Sequence, residues 1–271
     1  MDRMPGFNPD RVGPAWARRG DGRVFPLLVE AAGLSLHYGW FSEGRSGATS
    51  VEALRNGQRR FVDEVVELVP REAGTLLDVG TGTGDVAAAL AGRGHVVTSI
   101  SPDPDQARWA RRHLGPALEL VPVRFEDFPL GRRFDCVLFS ESSNYVDLDN
   151  LLVRSDELLA VGGSLVLAAP FLRERSDVFT DLHSLDEFRR RAERASWEIE
   201  CERDATAEVA PTLELGRRLA GGFAGAITPA VSRVIDWAAG GGYARLLRML
   251  DADRFRSECV FLFVRLRRRR P

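Results

Sequence analysis

The run Leu76-Leu77-Asp78-Val79-Gly80-Thr81-Gly82-Thr83-Gly84-Asp85 sets glycines at alternate positions behind an apolar stretch that carries an acid. Such a turn between a strand and a helix lets a ligand lie against bare backbone beside a helix N-terminus, which suits several nucleotides. The spacing separates them. A dinucleotide turn reads G-x-G-x-x-G/A, with a small third residue where helix meets strand. Here Asp85 holds that place and the extra glycine comes one residue early, as Gly84. Asp78, two residues before Gly80, sits badly beside a pyrophosphate, because like charges repel. A phosphate loop needs Gly-Lys-Ser/Thr, and the chain has no lysine. A carboxylate-edged turn without side chains instead suits a positively charged ligand.

Two further groups can move a proton. Glu141 follows the apolar run Phe134 to Ser140, and His37 lies in Leu36-His37-Tyr38-Gly39-Trp40. Free imidazole titrates near ~6.5, so His37 is the best-tuned proton acceptor near the expected lid. Glu141 serves as a base or stabilises a developing cation, unless it caps a helix or contacts the bound ligand; His37 accepts a proton, unless it is a satisfied structural histidine. Tyr38 and Trp40 offer π faces, worth roughly 0.5 to 2 kcal/mol to a cation, or else fill a seam between an N-terminal arm and the sheet. His95, His113 and His183 read as structural, the last opening a helix.

Positioning these groups requires a sheet. Short apolar runs at 75–79, 95–100, 118–123, 134–140 and 164–170 alternate with helical patterns, which predicts a doubly wound, mostly parallel sheet. Runs at 196–202 and 257–267 supply two more strands, for seven in all, with an Ala/Leu/Gly-rich helical stretch between them. The fold class is therefore α/β and Rossmann-like, with a helical cap inserted before the last strand. Ahead of the sheet, Val51, Leu54, Phe61, Val65 and Leu68 fall on one helical stripe behind a Thr/Ser cap. The expected divisions are an arm with lid helices over 1–70, a core over 71–208, a cap over 209–250, and a last strand with a basic tail over 251–271.

Asp78 with Gly80, Thr81, Gly82 and Gly84 resembles the first motif of the class I S-adenosylmethionine (SAM)-dependent methyltransferases. That resemblance implies SAM as cofactor, with the glycines against its methionine part and Asp78 near its amino group and sulfonium. The segment from His95 through Ser99 and Ser101 resembles the family's second strand and the helix behind it. Ser99 stands where an acid usually holds the ribose, and its hydroxyl makes a weaker contact than a charge-assisted one. The segment at 123–135 is similar to the one flanking adenine: Phe125 packs on the base and Glu126 accepts from its amine, or the acids belong to a solvated loop. Ser140 and Glu141 then fall where methyl donor and acceptor meet, and 36–44 resembles the "hYG-aromatic" segment of small-molecule methyltransferases. The resemblance implies methyl transfer with Glu141, His37 and Tyr38 as candidate catalytic residues. A methyltransferase-like scaffold that does not methylate, such as a cyclase or a SAM-binding module, and a nicotinamide oxidoreductase are the alternatives.

Composition narrows the partners. The net charge is −2 and all 37 basic residues are arginine, scattered except for the run at 265–270, so no field favours nucleic acid or an anionic membrane. The apolar cap, poor in acids, predicts an apolar small molecule such as a terpenoid, polyketide or lipid-like intermediate of specialised metabolism, or else a homodimer interface. Three cysteines, widely spaced in apolar stretches, predict reduced and buried thiols in a cytoplasmic protein. No CxxC pair or histidine cluster predicts a metal site. No run reaches the ~18 apolar residues of a membrane span, and the first residues lack the apolar core of a signal peptide.

Overall fold

Ser50 fixes the start of the first long helix, α1 (Val51–Leu68), by accepting the Ala53 amide at 3.1 Å. The computed structural model describes residues 33–42, 50–104, 107–108, 110–111, 118–226 and 248–269. Residues 1–32 of the N-terminal arm, His113, most of the helix expected after the second strand, and residues 227–247 of the cap lie outside the described residues. On α1 the stripe Leu54, Phe61, Val65 and Leu68 is buried as its periodicity requires, while Val51 is half-buried.

The seven strands are β1 (Thr75–Val79), β2 (Val96–Ile100), β3 (Glu119–Val121), β4 (Phe134–Ser140), β5 (Leu159–Leu172), β6 (Trp197–Asp204) and β7 (Cys259–Arg268). They lie in the order β3-β2-β1-β4-β5-β7-β6. β1 to β5 are parallel, and β7 runs antiparallel to both β5 and β6. The chain winds outward from β1 to β3 and returns to β4 on the other flank of β1, so a crevice opens at the carboxyl ends of β1 and β4.

Helices α2 (Asp85–Gly92), α3 (Leu148–Leu158) and α4 (Leu185–Arg194) follow β1, β4 and β5, and α5 (Thr206–Val209), α6 (Pro211–Ala226) and α7 (Ala252–Glu258) lie between β6 and β7. Alternate residues of each central strand feed two cores. Cys136, Leu138, Phe261 and Phe263 pack with α1 and α2 on one face, while Val137, Phe139, Leu262 and Val264 pack with α3 and α4 on the other. Burial on both faces is why these strands read as continuous apolar runs.

Three expectations change. The fifth strand begins at Leu159 instead of 164, running through Gly162 (φ +82°) and Gly163 with a register shift against β4 between Phe134 and Cys136. A Cβ on Gly163 would sit 3.0 Å from the carbonyl oxygens of Ala160 and Asp135, so glycine lets the strand continue where a turn was expected. Cys136 and Cys259 are buried, but Cys201 is exposed, because β6 is an edge strand with little over it. The basic run is not simply a solvated tail: Arg265, Arg267 and Arg268 belong to β7, the first two sharing Glu200 at 3.1 Å each and the third meeting Asp156 at 2.8 Å.

Phe261, fully buried on β7, touches Phe61 of α1, Phe263 and Tyr38, with ring centroids 5.3 to 5.8 Å apart. Phe261→Ala removes a ring from the junction of helix, sheet and the 33–42 segment. Urea unfolding should show a loss of about 3 to 5 kcal/mol; a loss below about 1 kcal/mol would mean that this junction does not support the fold.

Candidate active site

Gly80, Gly82 and Gly84 have φ of +79°, +54° and +89°, the left-handed region that favours glycine. Two of them do different work. A Cβ on Gly80 would lie 2.5 Å from Cβ of Ser142, so this glycine lets the turn pass under the loop after β4. A Cβ on Gly82 would meet nothing closer than Leu36 Cδ1 at 3.9 Å, so its face is bare apart from the 33–42 segment above it. Gly84 is the N-cap of α2. The amides of Gly80 and Thr81 both donate to the carbonyl of Ile100, at 2.9 and 3.2 Å, which ties the turn to the end of β2.

Asp78 is 2% exposed and lies in register with Ser99, whose hydroxyl donates to it at 3.2 Å. Burial holds its carboxyl above the usual range, with the hydrogen bonds from the Thr81 and Ser99 hydroxyls and the nearby His37 opposing the shift. Positive charge delivered to this rim would lower the cost of keeping Asp78 ionised.

The 33–42 segment is fastened across the turn from several sides. Gln58 of α1, itself buried, accepts the Ser35 amide at 3.0 Å and donates to the carbonyls of Ser35 and His37 at 2.9 and 2.7 Å. Thr212 of α6 accepts the Gly39 amide at 2.8 Å and donates back to the Gly39 carbonyl at 3.3 Å. Three aromatic rings add a packed seam: His37 stacks on Phe61, Tyr38 lies between Phe255 and Phe261, and Trp40 meets Phe263 edge-on. The outer side of Trp40 is covered by the Arg203 guanidinium, 4.6 Å from the ring. For Tyr38 and Trp40 the seam is therefore realised.

Glu141 supplies the clasp. Its amide donates to the Ala168 carbonyl at 2.8 Å, and its φ of +58° turns the chain sharply at the end of β4. A residue with a Cβ held there costs about 1 to 3 kcal/mol, so the surroundings must enforce it. Its carboxylate accepts from His37 Nδ1 at 2.7 Å and from the Tyr38 amide at 3.2 Å. Burial lowers the pKa of His37, but the bond to Glu141 and its charge, with Asp85 and Asp78 behind them, more than reverse this and leave it raised.

Three buried polar atoms in this neighbourhood have no hydrogen-bond partner among the described residues: His37 Nε2, Ser140 Oγ and Ser143 Oγ. Each orphan costs about 1 to 3 kcal/mol, a penalty that a ligand offering partners would relieve.

The fold thus gathers His37, Asp78, Gly80, Thr81, Gly82, Gly84, Ser99, Ser140 and Glu141 at the crevice. Ser101 is buried just past β2 and accepts the Asp103 amide at 3.3 Å. The Phe125 ring does not present a face to the crevice: it is 3% exposed and packs edge-on against Phe139 at 5.0 Å. Glu126 pairs with Arg124 at 3.0 Å. His95 and His183 bond backbone carbonyls, of Ala73 and of Ser143 and Val146 respectively, and His183 immediately precedes Ser184, the cap of α4. Gln58, Thr212, Ser142 and Ser143 were not singled out from the sequence. Gln58 had a signal, since it is polar yet lies on the apolar stripe between Leu54 and Phe61; Thr212 had none, because its partner is far away in the chain.

Residues 77–167 match the model of a family described as a methyltransferase domain. An uncharacterized methyltransferase of Alkaliphilus oremlandii (strain OhILAs) is 29% identical over 101 residues, which cover 36% of this chain and 46% of that protein. The chain spans about half the length of the curated relatives it matches. Among solved structures, the [4+2]-cyclase SpnF superposes with a TM-score of 0.73 at 20% identity, covering 95% of this chain and 98% of the other. A geranyl diphosphate C-methyltransferase from Streptomyces coelicolor A3(2), in complex with Mg2+, geranyl-S-thiolodiphosphate and S-adenosyl-L-homocysteine, gives 0.70 at 17% identity, covering 98% and 100%. These likenesses carry the fold. The acid-led glycine turn and the domain match fall on the same strands, so residues 77–167 are similar to a methyltransferase domain in sequence as well as in fold.

Proposed function

We propose that the chain binds SAM at the glycine turn and transfers its methyl group to an apolar small molecule. The observation that carries this reading is Asp78: a buried carboxylate with raised pKa at the rim of a turn whose Gly82 face bears no side chain. The residues present fit the cofactor. Asp78 would face the ligand's positive charge, Gly82 allows backbone approach, and the orphaned hydroxyl of Ser140 offers a partner to a polar ligand. Ser99 is the candidate ribose contact, once its hydroxyl turns from Asp78. Phe125, packed on Phe139, would act only as support for the segment that flanks the adenine, with Glu126 as candidate amine partner. When bound, SAM supplies a methyl group on a cationic sulfur. The protein's part is to hold donor and acceptor in line and keep water out.

The acceptor class rests on composition. The segment 209–250 is rich in Ala, Leu and Gly and poor in acids, which suits a terpenoid, polyketide or lipid-like intermediate of natural product biosynthesis. Where it is described, it packs Leu213 and Leu215 inward. Ser99, paired with Asp78 and standing where the family resemblance implies an acid, favours as second reading a scaffold that binds SAM without transferring its methyl, as a cyclase would. Among the described residues no helix is long and apolar enough to cross a membrane.

Calorimetry with S-adenosylhomocysteine and NAD+ tests the cofactor assignment directly. The first should bind and the second should not; the reverse would replace the methyltransferase reading with the nicotinamide one. Asp78→Ala should weaken SAM binding more than tenfold, and unchanged affinity would remove Asp78 from the site. Since Asp78 must be ionised to meet a cation and its pKa is raised, SAM affinity should fall as pH drops through a value above the ordinary ~3.9. Asp78→Asn should abolish that fall.

A further inference from the structure

We propose that His37 Nε2 accepts the acceptor's proton, so that the methyl acceptor is an acidic hydroxyl, a phenol or enol, on an apolar molecule, and Glu141 is a positioning residue. This rests on the methyltransferase reading above and names its substrate class.

The geometry assigns the two ring nitrogens different tasks. A carboxylate only accepts, so the 2.7 Å contact to Glu141 fixes the proton of neutral imidazole on Nδ1 and leaves the lone pair on Nε2. That atom is buried without a partner, on a side chain 9% exposed. Glu141 is occupied: one oxygen takes His37 and the other the Tyr38 amide. To act as the base itself it would have to give up the negative charge that strengthens both bonds to the segment closing the site.

The surroundings select among acceptors. An alkene carbon passes through a cation that needs an open π face, and the rings beside His37 are turned onto one another, Phe61 against Phe261 and Phe263, Tyr38 against Phe255 and Phe261. A neutral amine attacks without first losing a proton. A phenol, with a pKa near ~10, is within reach of an imidazole, whereas an aliphatic alcohol is far too weak an acid. In the step, the hydroxyl proton passes to Nε2 and an oxygen lone pair forms the O–CH3 bond. The S–CH3 bond breaks with its electrons remaining on sulfur, which becomes neutral, and the proton then leaves His37 for solvent.

The charged groups felt by His37 are Glu141, Asp85 and Asp78, all acting to raise its pKa, while the phenols of Tyr38 and Tyr145 are pushed up and stay neutral, Tyr145 to about 12. Turnover should therefore rise with pH through a value above 6.5. Glu141→Gln removes the largest charge holding the pKa up and leaves burial opposed only by the more distant Asp85 and Asp78, so the limb should move to lower pH as kcat falls. A merely structural Glu141 would not move it.

The test starts without an acceptor. Chain labelled with 15N-histidine, free and with S-adenosylhomocysteine, should show His37 protonated on Nδ1 and titrating at Nε2; an Nε2–H tautomer in the complex would overturn the assignment. Radiolabelled SAM is then offered with 2-naphthol, 2-naphthylamine and geranyl diphosphate. Label on the naphthol oxygen, reduced about 100-fold or more in His37→Gln at unchanged S-adenosylhomocysteine affinity, supports the proposal. Label on the amine or on an alkene carbon, or full transfer by His37→Gln, overturns it. Where no probe is labelled, the tautomer decides. Failure of the wild type to bind S-adenosylhomocysteine instead removes the methyltransferase reading itself.

Discussion

One carboxylate holds the closed crevice together. Glu141 stands at the carboxyl end of a central strand in a backbone conformation that ordinary residues avoid, and from there it grips a segment more than a hundred positions earlier in the chain through His37 and the Tyr38 amide. The strained φ is maintained because β4 is locked between β1 and β5, and because the Glu141 amide is still tied to the neighbouring strand through Ala168. The cost of the conformation, about 1 to 3 kcal/mol, is comparable to one hydrogen bond to a charged group, at about 1.5 to 3 kcal/mol. Glu141 makes two such bonds to the segment, so the clasp outweighs its own strain.

Burial and charge compete throughout the site, and the balance differs from residue to residue. For His37 the adjacent carboxylate wins over burial; for Asp78, with only the hydroxyls of Thr81 and Ser99 and a more distant imidazole to help, burial wins. Both shifts make stability fall as pH rises, one through loss of a favourable charge and the other through gain of an unfavourable one. A histidine whose folded pKa is raised stabilises the fold fully below its unfolded value, and that contribution fades as pH rises through the folded one. The raised Asp78 likewise favours the fold most where it is protonated and opposes it above its folded pKa, in ligand-free protein. A site that costs stability when empty is suited to a ligand that restores it.

Much of this was legible beforehand because it depends on local spacing. The glycine turn, the strands around it and the stripe of α1 are all encoded within a few residues of one another, and the crevice follows from strand order. Gln58 was legible in the same way, as a polar interruption of an apolar stripe. What could not be read depends on partners far apart in the chain. Nothing near Thr212 announces Gly39, and nothing near Gly80 announces that its bareness serves Ser142. Phe125 shows a second limit: an aromatic beside a strand end reads the same whether its ring faces a ligand or, as here, another ring of the core. The arginine run at 265–270 read as a tail because charge obscured the alternation of β7, whose outward positions are paired with acids on neighbouring elements.

The placement of β7 bears on how the molecule is assembled. This strand lies between β5 and β6, although nearly ninety residues separate the end of β5 from its start. During synthesis, every earlier strand leaves the ribosome before the wedge that joins β6 to the rest exists. Until then β5 presents a long apolar margin of unsatisfied amides and carbonyls, the kind of border along which nascent chains adhere to one another. The same wedge carries Phe261 and Phe263, onto which His37, Tyr38 and Trp40 settle through their rings or through Phe61. The mouth of the crevice is thus among the last parts to take shape, and a nascent chain has no finished site until its sheet is whole.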